Sequence, residues 1–444
     1  MLLWIYFLKQ WRFIENKVDC FKLLPEMRAL LTSHGSTGDI YPVIALGKAM
    51  KDAGHEVRFA TVPFFQKEVE RAGLEFIAVP PDWGQDRLSE AMRKLSRTRN
   101  PVRLLQQIYR QSIPFIGELM NRLEEAMEEC DIVVSSYLFA HFRVLAQKKK
   151  KPFAVITFSH NVVPDPSYPP FPVAKLWLMP RFAQKLWNRL LWRASDRFIL
   201  SALNRTMGKH LRKAGSPKIK YFLMNPGDIA LVAVSKRLLQ PEGFQKSSFQ
   251  FTGYLRWQSE EDPELEKTLR KFTEGGKVTI LTFGSVSFDD TESLMQRFLR
   301  NWPTGKKLII QTGWAGLSPQ EEREDILFVG KVSHDQLFSH GSVIIHHGGA
   351  GTTASALHAG VPQVIVPHFG DQFLWAKEIR RLKTGVRIRR KRWPERITPA
   401  VHHIEESPTL AGRAKELADI LATENGPNKA VQVLEELLVE AKVD

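Results

Sequence analysis

The chain has 444 residues, 43% hydrophobic and 25% charged, which allows two or three cored domains and excludes an intrinsically disordered chain. Two cysteines, Cys20 and Cys130, exclude a disulfide framework and a cysteine-rich zinc module, and favour a reducing, cytoplasmic setting. The formal net charge of +15 calls for an anionic partner and is uneven: residues 1–235 hold 35 Lys and Arg against 21 Asp and Glu, residues 236–444 hold 28 against 27.

In chain order, the N-terminal MLLWIYFLKQWRF is apolar for eight residues before Lys9, short of the ~20 that a spanning helix needs. It lacks the basic start and small-residue cleavage site of a signal peptide. Residues 1–26 are therefore expected to be an extension upstream of a start at Met27, or else a short interfacial anchor. RALLTS (28–33) is a short apolar run ending in the turn cluster HGSTGD. Val43, Ile44, Leu46, Ala49 and Met50 then recur at helical spacing, and HEVRFAT (55–61) follows as a second strand. Strand, glycine-containing loop, helix and strand make a βαβ unit of a parallel sheet. LEFIAVP (74–80), CDIVVSS (130–136) and FAVITFS (153–159) read as further strands, and Leu104 to Met127 as an amphipathic helical region broken at Pro114.

The second half restarts the pattern with KVTILTFGSVS (277–287), KLIIQTG (307–313), ILFVG (326–330), SVIIHHGG (342–349) and PQVIVP (362–367), separated by helical stretches. The expected fold is α/β: two facing, Rossmann-like, doubly wound domains with a cleft between them. Their expected limits are 27–235 and 277–405, joined by a polar linker and domain start at 236–276 and followed by C-terminal helices at 406–444.

The strongest signal is HHGGAGTTASALHAGVP (346–362). A strand over Val343–Ile345 delivers a glycine-rich turn, and the helix behind it is expected to start near Thr352. Gly348, Gly349 and Gly351 permit close backbone approach, while the free amides of a helix N-terminus favour an anionic diphosphate. Thr352 adds a hydroxyl, and His347 at the strand end is placed to donate to a phosphate oxygen. Such turns also occur without a ligand. Here, however, Asp371 and Gln372 follow PHFG (367–370) and pair an acceptor with a donor, as the vicinal hydroxyls of a sugar require. FGSVS (283–287) repeats the strand-then-turn logic and offers Ser285 to the same phosphates.

These residues resemble the family 1 glycosyltransferases of GT-B architecture, in the branch of UDP-glucose:sterol glucosyltransferases and bacterial antibiotic and glycolipid glycosyltransferases. The 24 residues from His347 to Asp371 equal the family's His-to-Asp-Gln spacing, and SHGSTGDIYPVIALGKAM resembles its G-S-x-G-D-x-x-P loop. The resemblance implies diphosphate contacts from Ser285, His347, Gly349, Gly351 and Thr352, and sugar contacts from Asp371 and Gln372. It also implies nucleobase and ribose contacts within Lys331–His334, at Val332 and His334, and a catalytic base at Asp39. Two positions depart from the pattern: Ser355 stands where many members carry a ribose-gripping Glu, and Lys331 where a Trp often stacks on uracil.

The implied activity is an inverting hexosyl transfer from a nucleotide sugar, UDP-glucose, to a hydrophobic acceptor such as a sterol, terpenoid or membrane lipid, with no cofactor and no metal. His34 is a rival base, because an imidazole titrates nearer neutrality, and Asp39 alternatively caps the helix beginning near Tyr41. Asp289 and Asp290 read as a helix-start cap rather than a metal-binding pair.

Arg181, Lys185, Arg189, Arg193 and Arg197 recur every four residues with Trp187 and leucines interleaved, the composition of an interfacial helix on anionic lipid. That surface would hold a cytoplasmic enzyme peripherally at a membrane; the alternative is an ordinary helix with solvated arginines. No pattern of a nucleic-acid-binding module supports nucleic acid as the partner. Two other classes stay open: an idle nucleotide-sugar or lipid-binding module, and a nicotinamide-dependent oxidoreductase. Against the latter, the first loop lacks GxGxxG, and Ala60 and Thr61 stand where an acidic residue should close the second strand.

Overall fold

In the computed structural model, which describes residues 26–98, 100–139, 141–170, 180–238, 248–257, 261–284, 291–312 and 323–443, the chain forms two lobes, each built on a parallel sheet. The first runs β1 (Arg28–Thr32), α1 (Thr37–Asp52), β2 (Glu56–Thr61), α2 (Gln66–Arg71) and β3 (Glu75–Ala78). Three helices follow, α3 (Gln85–Ser96), α4 (Pro101–Ser112) and α5 (Ile116–Glu128), the last two parted by a short turn at Pro114. It continues with β4 (Ile132–Ser136), α6 (Phe142–Lys148), β5 (Phe153–Thr157), the 33-residue α7 (Arg181–Lys213), β6 (Ile229–Val232) and β7 (Phe249–Phe251). The strand order is β3-β2-β1-β4-β5-β6-β7.

The second lobe runs α8 (Pro263–Thr273), β8 (Thr279–Thr282), α9 (Thr291–Asn301), β9 (Leu308–Gln311), β10 (Ile326–Val329) and α10 (His334–Phe338). It continues with β11 (Val343–His346), α11 (Ala350–His358), β12 (Gln363–Ile365), α12 (Gln372–Leu382), β13 (Gly385–Arg387) and α13 (Trp393–Glu405). Its strand order is β10-β9-β8-β11-β12-β13.

Successive strand residues enter different cores. Leu30 and Val133 pack in one buried cluster while Ala29, Leu31, Ile132 and Val134 pack in another; Leu281 and Ile345 part from Ile280 and Ile344 in the same way. A sheet buried on both faces needs apolar side chains at both parities, which is why these strands read as continuous Val/Ile/Leu runs.

Three short strands lie outside the sequence expectation: β6, β7 and β13. β7 sits inside the stretch read as linker, yet it pairs in parallel with β6, so the first sheet reaches to Phe251. Beyond α14 (Pro408–Ala422), α15 (Gly426–Val443) turns back to the first lobe. There Ala430, Val431, Leu434 and Leu438 share a buried cluster with Ile40, Val43, Ile44 and Met50 of α1, and Glu435 pairs with His55 at 3.0 Å. Burying one leucine stabilises by about 2 kcal/mol, so this helix fastens the two lobes together. Residues 1–25 and Ser285, Asp289 and Asp290 lie outside the described residues.

In each sheet the strand order reverses beside the first strand, between β1 and β4 and between β8 and β11. Loops leaving the carboxyl ends at such a point splay apart and open a crevice. His34 and Asp39 stand on the loop and helix that follow β1, and His347, Gly349, Gly351 and Thr352 on those that follow β11.

Candidate active site

On the first lobe, β1 ends at Thr32 and the chain turns through Gly35 at φ +129°. A side chain there would be strained and would strike the Asp39 carboxylate, so the turn needs glycine. Ser36 then caps α1 and donates both its amide (2.9 Å) and its hydroxyl (3.0 Å) to Asp39 Oδ2. The sequence reading makes Asp39 the cap of a helix beginning near Tyr41; the helix instead begins at Thr37 with Ser36 as its cap, and Asp39 lies in its first turn as the reciprocal partner of that cap. That pairing occupies one carboxylate oxygen and leaves Oδ1 without a partner among the described residues. Burial raises the Asp39 pKa, opposed by the two Ser36 hydrogen bonds.

His34 lies in the same loop with its ring centroid 5.0 Å from Phe139 and 5.9 Å from Phe142, and its Nε2 has no partner. Burial pushes its pKa down to about 4, which makes it a neutral ring and weakens it as a base.

On the second lobe, β11 delivers His346 and His347. His346 accepts the Gly348 amide on Nδ1 (3.1 Å) and meets Gln363 Oε1 through Nε2 (2.8 Å), which fixes the strand end. Gly348 holds φ +89°, and a Cβ there would sit 2.6 Å from Ile365 Cγ2. Gly349 caps α11, which starts at Ala350, two turn-forming residues earlier than the expected Thr352. The amides of Ala350, Gly351 and Thr352 thus form the open first turn of the helix. His347 sits between Gly284 and Gly349, with its Nδ1 buried and unpartnered. Burial and the neighbouring histidines drive its pKa well below the ordinary value, which keeps the ring neutral.

The loop after β12 places Asp371 and Gln372 at the start of α12. Gln372 Oε1 accepts the amides of His368 (2.8 Å) and Phe369 (3.2 Å), which leaves its Nε2 as the donor end. Asp371 Oδ2 accepts from Trp375 Nε1 at 3.2 Å. Burial raises the Asp371 pKa to about 6, and the charge of Asp39 across the cleft adds to the rise. The two carboxylates, one from each lobe, therefore share one electrostatic environment. Tyr137, at the end of β4, feels both of them and is pushed up by burial and their charges. The sequence reading missed Tyr137; the available signal was its place one residue past a buried strand, at the same sheet edge as Asp39.

Beyond β10, the Val332 carbonyl accepts from Gln311 Nε2 at 3.1 Å, and His334 stacks on Phe338 with centroids 4.6 Å apart. Burial lowers the His334 pKa to about 4. Lys331 pairs across the cleft with Glu68 of α2 at 2.8 Å. A single cavity of about 2220 Å³ joins all these parts: Asp39, His34, Tyr137, Val332, His334, His347, Gly349, Gly351, Thr352, Asp371 and Gln372 line it. On the first-lobe side its wall is apolar, with Phe64, Trp83, Met92, Leu104, Phe158 and Val162. Among the described residues, no group of three or more His, Cys, Asp or Glu is placed to hold a metal ion.

The geometry separates binding from folding at Gly351, where an added Cβ would meet nothing within 4 Å. Gly351→Val is expected to leave the melting temperature near that of the parent, because it fills only cavity space. If the open turn holds a diphosphate as the resemblance implies, the change is expected to weaken UDP binding more than about tenfold by isothermal titration, through loss of at least one charge-assisted hydrogen bond. Unchanged UDP affinity would remove the diphosphate from this turn.

Residues 29–117 match the glycosyltransferase family 28 N-terminal domain, and residues 321–437 match the C-terminal domain of erythromycin biosynthesis protein CIII-like proteins. The chain is 28% identical to the O-mycaminosyltylonolide 6-deoxyallosyltransferase of Streptomyces fradiae, over 92% of this chain and 97% of that one. It is 27% identical to a sterol 3-beta-glucosyltransferase of Arabidopsis thaliana, over 94% of this chain and 69% of that one. The crystal structure of glycosyltransferase VinC in complex with dTDP superposes with a TM-score of 0.63 at 17% identity, covering 94% of this chain and all of that one. The chain thus carries a glycosyltransferase family 28 N-terminal domain and an erythromycin biosynthesis protein CIII-like C-terminal domain on a GT-B fold, with antibiotic and sterol glycosyltransferases among its relatives.

Proposed function

We propose that the protein is an inverting hexosyltransferase that moves glucose from UDP-glucose to a hydroxyl of a hydrophobic acceptor, a sterol, terpenoid or membrane lipid, without a metal ion. The observation that carries this reading is that Asp39 and Asp371, from opposite lobes, line one cavity and that the charge of Asp39 adds to the rise of the Asp371 pKa. The acceptor lies against the apolar wall of the first lobe with its hydroxyl at Asp39 Oδ1. Asp39 takes the proton, the oxygen attacks the anomeric carbon, and the diphosphate departs on the opposite face. The amides opening α11 and the buried N–H of His347 receive the charge that develops on the leaving group, the role a divalent cation plays elsewhere. Asp371 and Gln372 Nε2 hold the sugar hydroxyls, and the stretch around Val332 and His334 faces the base. Burial acts in opposite directions on the two candidate bases, raising the pKa of Asp39 and lowering that of His34 to about 4, and this supports Asp39.

Purified protein incubated with a panel of nucleotide sugars and a lipid extract is expected to give one product family heavier by a hexose, with UDP-glucose the preferred donor. UDP binding with no transfer to any acceptor would make the protein a binding module. NAD binding in place of UDP binding would overturn the donor assignment.

A further inference from the structure

Helix α7 has two working faces. Its inner face presents Trp192, Ser195 and Ile199 to the large cavity, and Trp192 Nε1 holds the adjoining loop through the carbonyls of Asp165 (3.0 Å) and Tyr168 (2.9 Å). Its outer face carries Phe182, Leu186, Trp187, Leu190 and Phe198, which are 43% to 75% exposed. Steps of four residues drift by roughly 40° each, so Phe182, Leu186, Leu190 and Phe198 form a shallow spiral pointing away from the lobe. Arg181, Lys185, Arg189, Arg193 and Arg197 form a parallel row one residue behind it. All five are exposed, and none pairs with a carboxylate among the described residues. Elsewhere in this lobe the pattern differs: Arg58, Arg122, Lys148 and Lys149 each meet a glutamate.

A groove of about 470 Å³ between α4 and α7 continues this surface, with Arg103, Arg110 and Arg205 around it and Phe198 at its edge. Its floor is set by Gln106 Nε2, which reaches Thr206 Oγ1 at 3.0 Å and the Ala202 carbonyl at 3.3 Å. These three arginines also have no carboxylate partner among the described residues.

We infer that the α4–α7 face docks on an anionic lipid bilayer, with the exposed aromatic and aliphatic side chains at the headgroup–acyl boundary and the three-arginine groove holding a lipid phosphate. Large exposed apolar side chains need a cover, and unpaired cations beside them select an anionic one. A second copy of this chain fits poorly, because with a net charge of +15 it would bring cations against cations. Tyr168, Pro169 and Pro170 line the cavity, and Trp192 Nε1 of α7 holds the Tyr168 carbonyl, so the helix that carries the docked face also borders the cavity. That an apolar acceptor enters there from the lipid rests on the function proposed above; the docking itself does not.

The test is sedimentation of the full chain with phosphatidylcholine vesicles, with and without phosphatidylglycerol. Binding is expected only with the anionic lipid and is expected to weaken with salt. Each cation near such a surface multiplies the partition by about five, so Arg103→Gln/Arg110→Gln/Arg205→Gln should lower it on the order of 100-fold. Phe182→Ser/Leu186→Ser/Leu190→Ser should release the protein while leaving UDP affinity within about twofold, which shows the fold and donor site intact. Equal sedimentation with neutral vesicles, no sedimentation at all, or a self-association seen by sedimentation velocity that the apolar variant abolishes would each overturn the inference. None of these readouts involves sugar transfer, so failure here is separable from failure of the transferase reading.

Discussion

Asp39→Asn is expected to cut kcat for glucosyl transfer on the order of 1000-fold while changing UDP affinity by no more than about twofold. A positioned general base contributes roughly 100- to 10,000-fold, and the amide cannot take the acceptor proton. The amide still presents an oxygen to the Ser36 amide and hydroxyl that now bond Oδ2, so the cap at α1 persists in weakened form and the loss is chemical. A second readout fixes the geometry. Because the charge of Asp39 adds to the elevation of Asp371, removing it should move the Asp371 titration downward from about 6, visible in the acid limb of donor binding. Lost UDP binding, or a variant that does not fold, would mean that Asp39 serves α1 alone. An unmoved Asp371 titration would place the two carboxylates too far apart for one hexose to lie between them.

The donor half of the site was legible because its chemistry is local. Glycines, threonines and a histidine within one strand-to-helix turn announce themselves at fixed spacing, and the Asp371–Gln372 pair follows on the next strand's loop. The first-strand loop was readable for the same reason, although the helix behind it starts at Thr37 and not near Tyr41, with Ser36 at the cap position and Asp39 bonded back to it. The start of α11 was misplaced by two residues because a glycine at the cap position reads as loop until the backbone shows it at φ −63°, ψ 149°. Strands β6, β7 and β13 escaped because strands of three or four residues carry too little periodicity to stand out. β7 in particular is fixed by its pairing with β6 and not by its own sequence. Contacts made between lobes left no trace in the sequence: Glu68 with Lys331, Arg256 with Asp335, and α15 folded back on α1. Tyr137 belongs with them, since its relation to Asp39 and Asp371 exists only after both sheets have closed. The amphipathic row of α7 was visible as composition, but only the fold shows that the apolar spiral faces outward while Trp192 faces the cavity.

Asp371→Asn is expected to weaken productive donor binding on the order of 100-fold and, in the same protein, to raise the stability of the unliganded form at neutral pH. Burial lifts the folded-state pKa of Asp371 from 3.8 to about 6. A carboxylate whose folded pKa lies above its unfolded one contributes stability that is complete below about pH 4 and is lost as pH rises through about 6. At pH 7 the ionised group therefore costs about 3 kcal/mol relative to acid, two pKa units at 1.36 kcal/mol each. Asparagine removes that cost and keeps an oxygen for Trp375 Nε1, so thermal unfolding at pH 7 should move upward while unfolding at pH 4 stays nearly unchanged. The opposite sign holds for function. Sugar hydroxyls donate to the ionised carboxylate, and a hydrogen bond to a charged group is worth about 1.5–3 kcal/mol. kcat/KM should consequently fall in the parent as pH drops below about 6, and fall on the order of 100-fold in the variant at pH 7. UDP alone, which lacks the hexose, should bind both proteins alike. A variant less stable than the parent at pH 7, or one whose loss of affinity is as great for UDP as for UDP-glucose, would make Asp371 a structural cap of α12 and take the sugar away from it.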